Sequence, residues 1–145
     1  MEAIRIIRNK AELEGTAYIE LLPGRYNEQC WNEGSLFFEE EVFWYLEPII
    51  SRHVPSYDHY AFTEISVSKW AAIVKDFQAL ESALEQSRSV RELAENVGFL
   101  FLGAEARFAE DFTGNKVALR RLLREVSAWV SSQASLHECV TVLGL

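Results

Sequence analysis

Three places in this 145-residue chain hold side chains able to do chemistry. The first is His53, Asp58 and His59, a grouping that could serve a metal ion or an acid/base pair. The two histidines are six positions apart with Pro55 between them, so no regular helix presents both to one ion. A zinc site would need one or two more ligands from elsewhere. The blander expectation is a solvated loop with an exposed histidine or two. The second place is Cys30 and Cys139 with His137, which could form a thiol–imidazole nucleophile pair. Cys139 opens an apolar run, however, and a cysteine in a buried strand behaves as a small hydrophobe. The third is Glu39-Glu40-Glu41. On a helix three consecutive residues fan across about 200°, so they do not flank one atom as a glycosidase pair does. Phosphate-cradling glycine loops, Gly-x-Ser-x-Gly and His-Glu-x-x-His are all missing. The expectation is a binding protein with no catalytic residues, no metal and no cofactor.

The segment from Glu28 to Glu47 carries six acids (Glu28, Glu33, Glu39, Glu40, Glu41 and Glu47) and no Lys or Arg. Trp31, Phe37, Phe38, Phe43, Trp44 and Tyr45 are interleaved with them. One helix cannot hide all the rings between Phe37 and Tyr45 on a core-facing stripe about 100° wide. Either a second element covers the remaining face, or that face is an exposed aromatic surface rimmed by acid. Aromatic anchors within a charged rim are a common way to build a protein interface. The candidate partner-binding residues are therefore Trp31, Glu33, Glu39, Glu40, Glu41 and Trp44, with Asp58 and Glu64 as weaker additions.

Several elements must position these residues. Ala3–Ile7 and Ala17–Leu22 have the β-branched content and partial alternation of strands, and Pro23-Gly24 closes the second. A loop from Arg25 to Gly34 follows. Ser35 caps an expected helix to about Leu46, which Pro48 would end. Tyr57–Ile65 is a further strand. Trp70, Ile73, Val74, Phe77, Leu80 and Leu84 define a helix opened by Ser66 or Ser68. Ser89 and Glu92 match a capping box for a short helix ending near Gly98. Phe99–Leu102 is open between strand and helix. Asn115 would cap the last long helix, with Leu119, Leu122, Leu123, Val126, Trp129 and Val130 on its apolar face. Cys139–Leu143 is a closing strand. The order predicts an α+β fold over residues 1–145 as one domain. A small, mostly antiparallel sheet is packed on one side by helices, with the last strand beside an early one.

Composition narrows the partners. Apolar residues make up 49% and charged residues 25%, as in ordinary globular folds. No run approaches the roughly 20 apolar residues of a membrane span, and Met-Glu-Ala-Ile-Arg is not a secretory signal. Two cysteines make no disulfide framework, so a cytoplasmic location is expected. The net charge is −8. Residues 1–66 hold twelve acids against five bases, and residues 67–145 hold ten against nine. The acidity thus belongs to the first half, which repels phosphate backbones and attracts a basic protein. Neither nucleic acid nor membrane is an expected partner.

The stretch from Tyr60 to Leu80, a strand running into a Trp-bearing helix, resembles small immunity proteins of bacterial polymorphic-toxin and contact-dependent growth inhibition systems. The end, Glu138 to Leu145, adds to the likeness, which covers about a third of the chain and carries no diagnostic motif. The resemblance implies a stoichiometric inhibitor of a cognate basic toxin domain, with nucleases as frequent targets. It transfers no particular binding residue. The protein itself would be a monomer or weak homodimer. The alternatives are a generic adaptor or self-associating domain and, from another class, a small metal- or ligand-binding enzyme using His53, Asp58 and His59.

Overall fold

In the computed structural model, residues 3–93, 96–99 and 102–145 are described. The order is β1 (Tyr18–Pro23), β2 (Leu36–Glu39), α1 (Glu40–Trp44), α2 (Glu47–His53), β3 (Phe62–Ser66), α3 (Val67–Gln86), α4 (Leu102–Glu110), α5 (Phe112–Gln133) and β4 (Cys139–Leu143). Short 3-10 turns occupy Lys10–Glu12 and Val90–Leu93. The fold is α+β, with four antiparallel strands in the order β2-β1-β4-β3. The last strand therefore fills the gap between β1 and β3.

Register sorts the strand residues by face. Ile19 lies opposite Phe38, Leu21 opposite both Leu36 and Val142, and Ile65 opposite Val140. These side chains join the core together with the stripes of α3 and α5. On α3 the stripe is Trp70, Ile73, Val74, Phe77, Leu80 and Leu84, all buried as the spacing predicts. Each such side chain contributes about 1.5–3 kcal/mol on burial. Ser66 caps α3 by accepting from Lys69 N at 3.3 Å. The Trp70 indole N–H reaches across to the Val140 carbonyl at 3.0 Å and ties the helix to the central strand. On α5 the expected apolar face is buried apart from the half-buried Trp129.

Several local expectations change. The segment Ser35–Leu46 is not one helix. Phe37 and Phe38 are adjacent and both fully buried, which a strand achieves by sending them to opposite faces of a sheet covered on both sides. Pro48 does not stop a helix but sits in the first turn of α2, where its missing N–H has no helical partner to lose. Helix α5 begins earlier than expected, capped by Asp111, whose carboxylate accepts from Gly114 N at 3.2 Å. Asn115 lies inside it, buried, with its amide donating to the Phe108 carbonyl at 3.0 Å. Of the expected strand Ala3–Ile7, all of it among the described residues, only Ile7 pairs, by a two-way bridge with Phe37. Tyr57–Ala61 forms a turn ahead of β3 rather than strand. The question over Phe99–Leu102 falls partly on residues outside those described.

Candidate functional site

The acidic aromatic segment comes apart when it folds. Phe37, Phe38 and Phe43 are fully buried and Tyr45 nearly so, which removes these rings from any surface. Trp44 is half-buried and packs on the His59 ring, with centroids 4.1 Å apart. The acids go separate ways because strand gives way to helix between Glu39 and Glu40. Glu39 lies opposite Tyr18 in the β1–β2 ladder. Glu40 reaches His59 at 2.8 Å, and Glu41 accepts from Arg107 of α4 at 2.8 Å. Glu33 is exposed and faces Lys10 at 3.5 Å. The single water-facing patch expected of Trp31, Glu33, Glu39, Glu40, Glu41 and Trp44 does not form: Glu40 and Trp44 meet at His59, while Glu33 turns to Lys10, Glu41 to Arg107 and Trp31 to Glu20.

His59 is buried rather than solvated, which corrects the loop-histidine expectation. Its Nδ1 lies 2.7 and 2.8 Å from the two Glu47 oxygens, and its Nε2 lies 2.8 Å from Glu40. The Tyr57 hydroxyl donates to Glu47 from the other side. Both ring nitrogens face carboxylate oxygens, so both are engaged in hydrogen bonds within the Glu40–His59–Glu47 group. Burial pushes the Glu47 carboxyl up, against the hydrogen bonds from Tyr57 and His59, while the Glu40 charge adds to the rise. The Tyr57 hydroxyl is pushed up as well, by burial first and then by the Glu47 charge. With both nitrogens engaged, the imidazole has no lone pair to offer a substrate proton. Backbone contacts fix it further: His59 O accepts from Leu145 N at 3.1 Å. A Cβ at Gly144 would sit 2.4 Å from that same oxygen.

His53 takes no part in this group. Its Nε2 pairs with Asp76 of α3 at 2.6 Å, and Asp58 is exposed, its carboxylate accepting from Tyr60 N at 2.8 Å to shape the turn. Among the described residues, no group of three His, Cys, Asp or Glu side chains could hold a metal. The thiol pair also separates. Cys139 is buried in β4 and Cys30 is exposed on the loop, and burial pushes both thiols up, away from activation.

The feature that sequence reasoning missed is Glu20. Its side chain points to the sheet face away from the helices and is 2% exposed. One oxygen accepts from Trp31 N at 2.6 Å; the other accepts from Asn32 N, Asn32 Nδ2 and Ser35 Oγ at 3.1, 3.0 and 2.6 Å. The 24–35 loop is thereby clamped over that face. Trp31 is held at φ 63°, a left-handed conformation that a bulky residue adopts only under constraint. The signal was present in the string Ile19-Glu20-Leu21-Leu22, an acid inside an apolar strand.

Between the loop and β4 runs an open groove of about 330 Å³, lined by Tyr18, Glu20, Cys30, Trp31, Leu143 and Leu145 among others. The Tyr18 and Trp31 rings meet edge to face at 6.3 Å. Leu143 lies directly opposite Phe62 in the ladder, so the groove continues into the outer strand. There the surface is aromatic and open: Tyr26, Tyr60 and Phe62 are 41%, 64% and 45% exposed. Tyr26 and Phe62 touch with centroids 4.9 Å apart. Glu64 is exposed beside them, and Arg25 bridges it to Glu138 at 3.5 and 3.8 Å. Among the eight sequence candidates, Trp31 lines the groove, Asp58 shapes the turn that carries Tyr60, and Glu64 is exposed on the outer strand. Strand β3 is also the sheet edge. The Ala61 carbonyl and the Val67 N–H bond toward the β4 side. By alternation the backbone groups of Phe62, Glu64 and Ser66 point outward.

Among the described residues, no helix is long and apolar enough to cross a membrane. Compared with known proteins, the chain matches no family model, no curated protein and no solved structure.

Proposed function

We propose that this chain is an immunity-type protein that binds and neutralises a basic toxin domain, and that it does so through the face formed by the 24–35 loop and strand β3. The carrying observation is the exposed trio Tyr26, Tyr60 and Phe62, with Asp58, Glu64 and Glu138 around it and an open sheet edge beside it. Exposed rings supply anchoring area, and the surrounding acids, with the −7 balance of residues 1–66, favour a cationic partner and speed its approach. The likeness of Tyr60–Leu80 to immunity proteins supports the same reading, because that stretch includes β3.

A second copy is a poorer occupant of the edge. Antiparallel pairing of β3 with itself in full overlap sets Glu64 opposite Glu64, and like charges directly opposite are destabilising. The product of the reading frame immediately upstream provides the test. Expressed alone it should arrest growth, and co-expression of this chain should restore growth through a complex that salt weakens. Tyr60→Ala with Glu64→Lys should reduce that protection. An upstream product that neither arrests growth nor binds the chain refutes the proposal.

A further inference from the structure

The Glu20 carboxylate is buried under the loop, and all four of its donors are neutral groups: two backbone amides, a side-chain amide and a hydroxyl. Among the described residues no Lys, Arg or His forms an ion pair with it. A negative charge thus lies at the wall of an open groove with no cation to balance it. At the groove lining, burial first and the Glu20 charge second push the Cys30 thiol up. The other walls are the Tyr18 and Trp31 rings and the aliphatic Leu143 and Leu145. Aromatic faces attract cations, and a carboxylate behind them adds to that attraction. Aliphatic walls suit the methylene stem of a long cationic side chain. The constraint on Trp31 gives an independent reason to regard the ring's display as selected. The fold holds a bulky residue in left-handed backbone, by its own amide bonded to Glu20, at the mouth of this groove.

We infer that the groove between Tyr18, Trp31 and Leu143 is a socket for an arginine side chain, contributed by the basic partner. Arginine fits better than lysine because its planar, weakly hydrated guanidinium stacks on indole and phenol faces. The socket rests on the proposed function only for the source of the arginine; its chemistry stands on the groove alone.

The test is titration of the full chain with acetyl-Gly-Arg-Gly-amide, followed by NMR at the Trp31 indole N–H, with the Leu and Glu tripeptides as controls. The Arg peptide should give saturable shifts at Trp31, with half-saturation about two- to fivefold below the Leu peptide, the factor expected of one cation–π contact in an open groove. The Glu peptide should not bind, and added salt should weaken the Arg peptide. Trp31→Gly removes the ring but suits the left-handed backbone, so it should remain folded and lose the response, read at the Tyr18 and Leu143 amides. Equal binding of the Leu peptide, no binding of the Arg peptide, or an unchanged response in the glycine variant each overturns the socket. Failure of the unaltered chain to bind or neutralise the upstream product, alongside intact peptide binding, would count against the proposed function and leave the socket standing.

Discussion

Replacing Glu20 by Gln tests the clamp on the loop. Glutamine keeps the shape but has one acceptor oxygen where the carboxylate has two. Its better orientation places that oxygen on Asn32 and Ser35, where the carboxylate accepts three bonds at 3.1, 3.0 and 2.6 Å. The –NH₂ group then faces Trp31 N, a donor against a donor across the 2.6 Å gap. Three bonds fall from charge-assisted to neutral, at about 1 kcal/mol each, and one donor is left unmade at about 1–3 kcal/mol. Water can reach half-buried Trp31 and recover part of this, which leaves a net loss of about 3 kcal/mol. For a chain of this size that is a fall in Tm on the order of 10 °C. Urea unfolding followed by Trp fluorescence measures the loss, and hydrogen exchange localises it: the Trp31 and Asn32 amides should lose protection while α3 amides keep theirs relative to global stability. A change below about 1 kcal/mol with both amides still protected would show that the clamp does not hold the loop.

Further substitutions probe other contacts. Gly144→Ala places a Cβ 2.4 and 2.6 Å from the carbonyl oxygens of His59 and Ala61, backbone atoms that cannot swing aside. It should cost about 1–3 kcal/mol and shift the His59 ring resonances, and an unperturbed His59 spectrum contradicts this. Burial raises the Glu47 carboxyl above its ordinary 4.5, so the folded state keeps that proton to higher pH than the unfolded chain does. Its contribution is present below the ordinary value and is lost as pH rises through the raised one. The wild-type minus Glu47→Gln difference in unfolding free energy should therefore decline over that window, and a flat difference profile rules out the linkage. The triple change of Glu39, Glu40 and Glu41 to Lys should act on stability before it acts on binding. It sets cations against His59 and Arg107 in place of contacts at 2.8 Å. A loss of about 3 kcal/mol or more is expected in thermal melts, and a variant as stable as the parent means those pairs are idle.

Much of the architecture was readable from periodicity. The stripes of α3 and α5, the Ser66 cap and the β1 and β4 strands all came from patterns local to a few turns or residues. The Ser35–His53 region was not readable in the same way. Phe38, Val42, Tyr45 and Ile49 do recur at helical spacing, yet Phe38 belongs to a strand and Ile49 to a second helix. What decides is that Phe37 also needs burial, a demand set by the sheet's other face and by Ile7, thirty positions earlier. The fate of the acids was hidden for a related reason. Glu41 meets Arg107 across 66 positions and Glu40 meets His59 across 19, so nothing near Glu39-Glu40-Glu41 announces that its charges are taken. The surface that remains open was visible only in part, through Trp31, Asp58 and Glu64. Tyr26, Tyr60 and Phe62 are unremarkable in sequence and acquire meaning only when β3 is known to be the edge.

The place of β4 has a consequence for how the molecule comes into being. Of the four strands it is the last to be synthesised, yet it occupies an interior position, with Leu22 facing Thr141 across almost the whole length of the chain. Until it emerges, β1 and β3 each present a bare margin to the cell, and their union waits on closure of a very long loop. A nascent chain is thus most vulnerable to stray strand pairing after β3 has emerged and before β4 has, when the slot is formed and its occupant has not yet arrived.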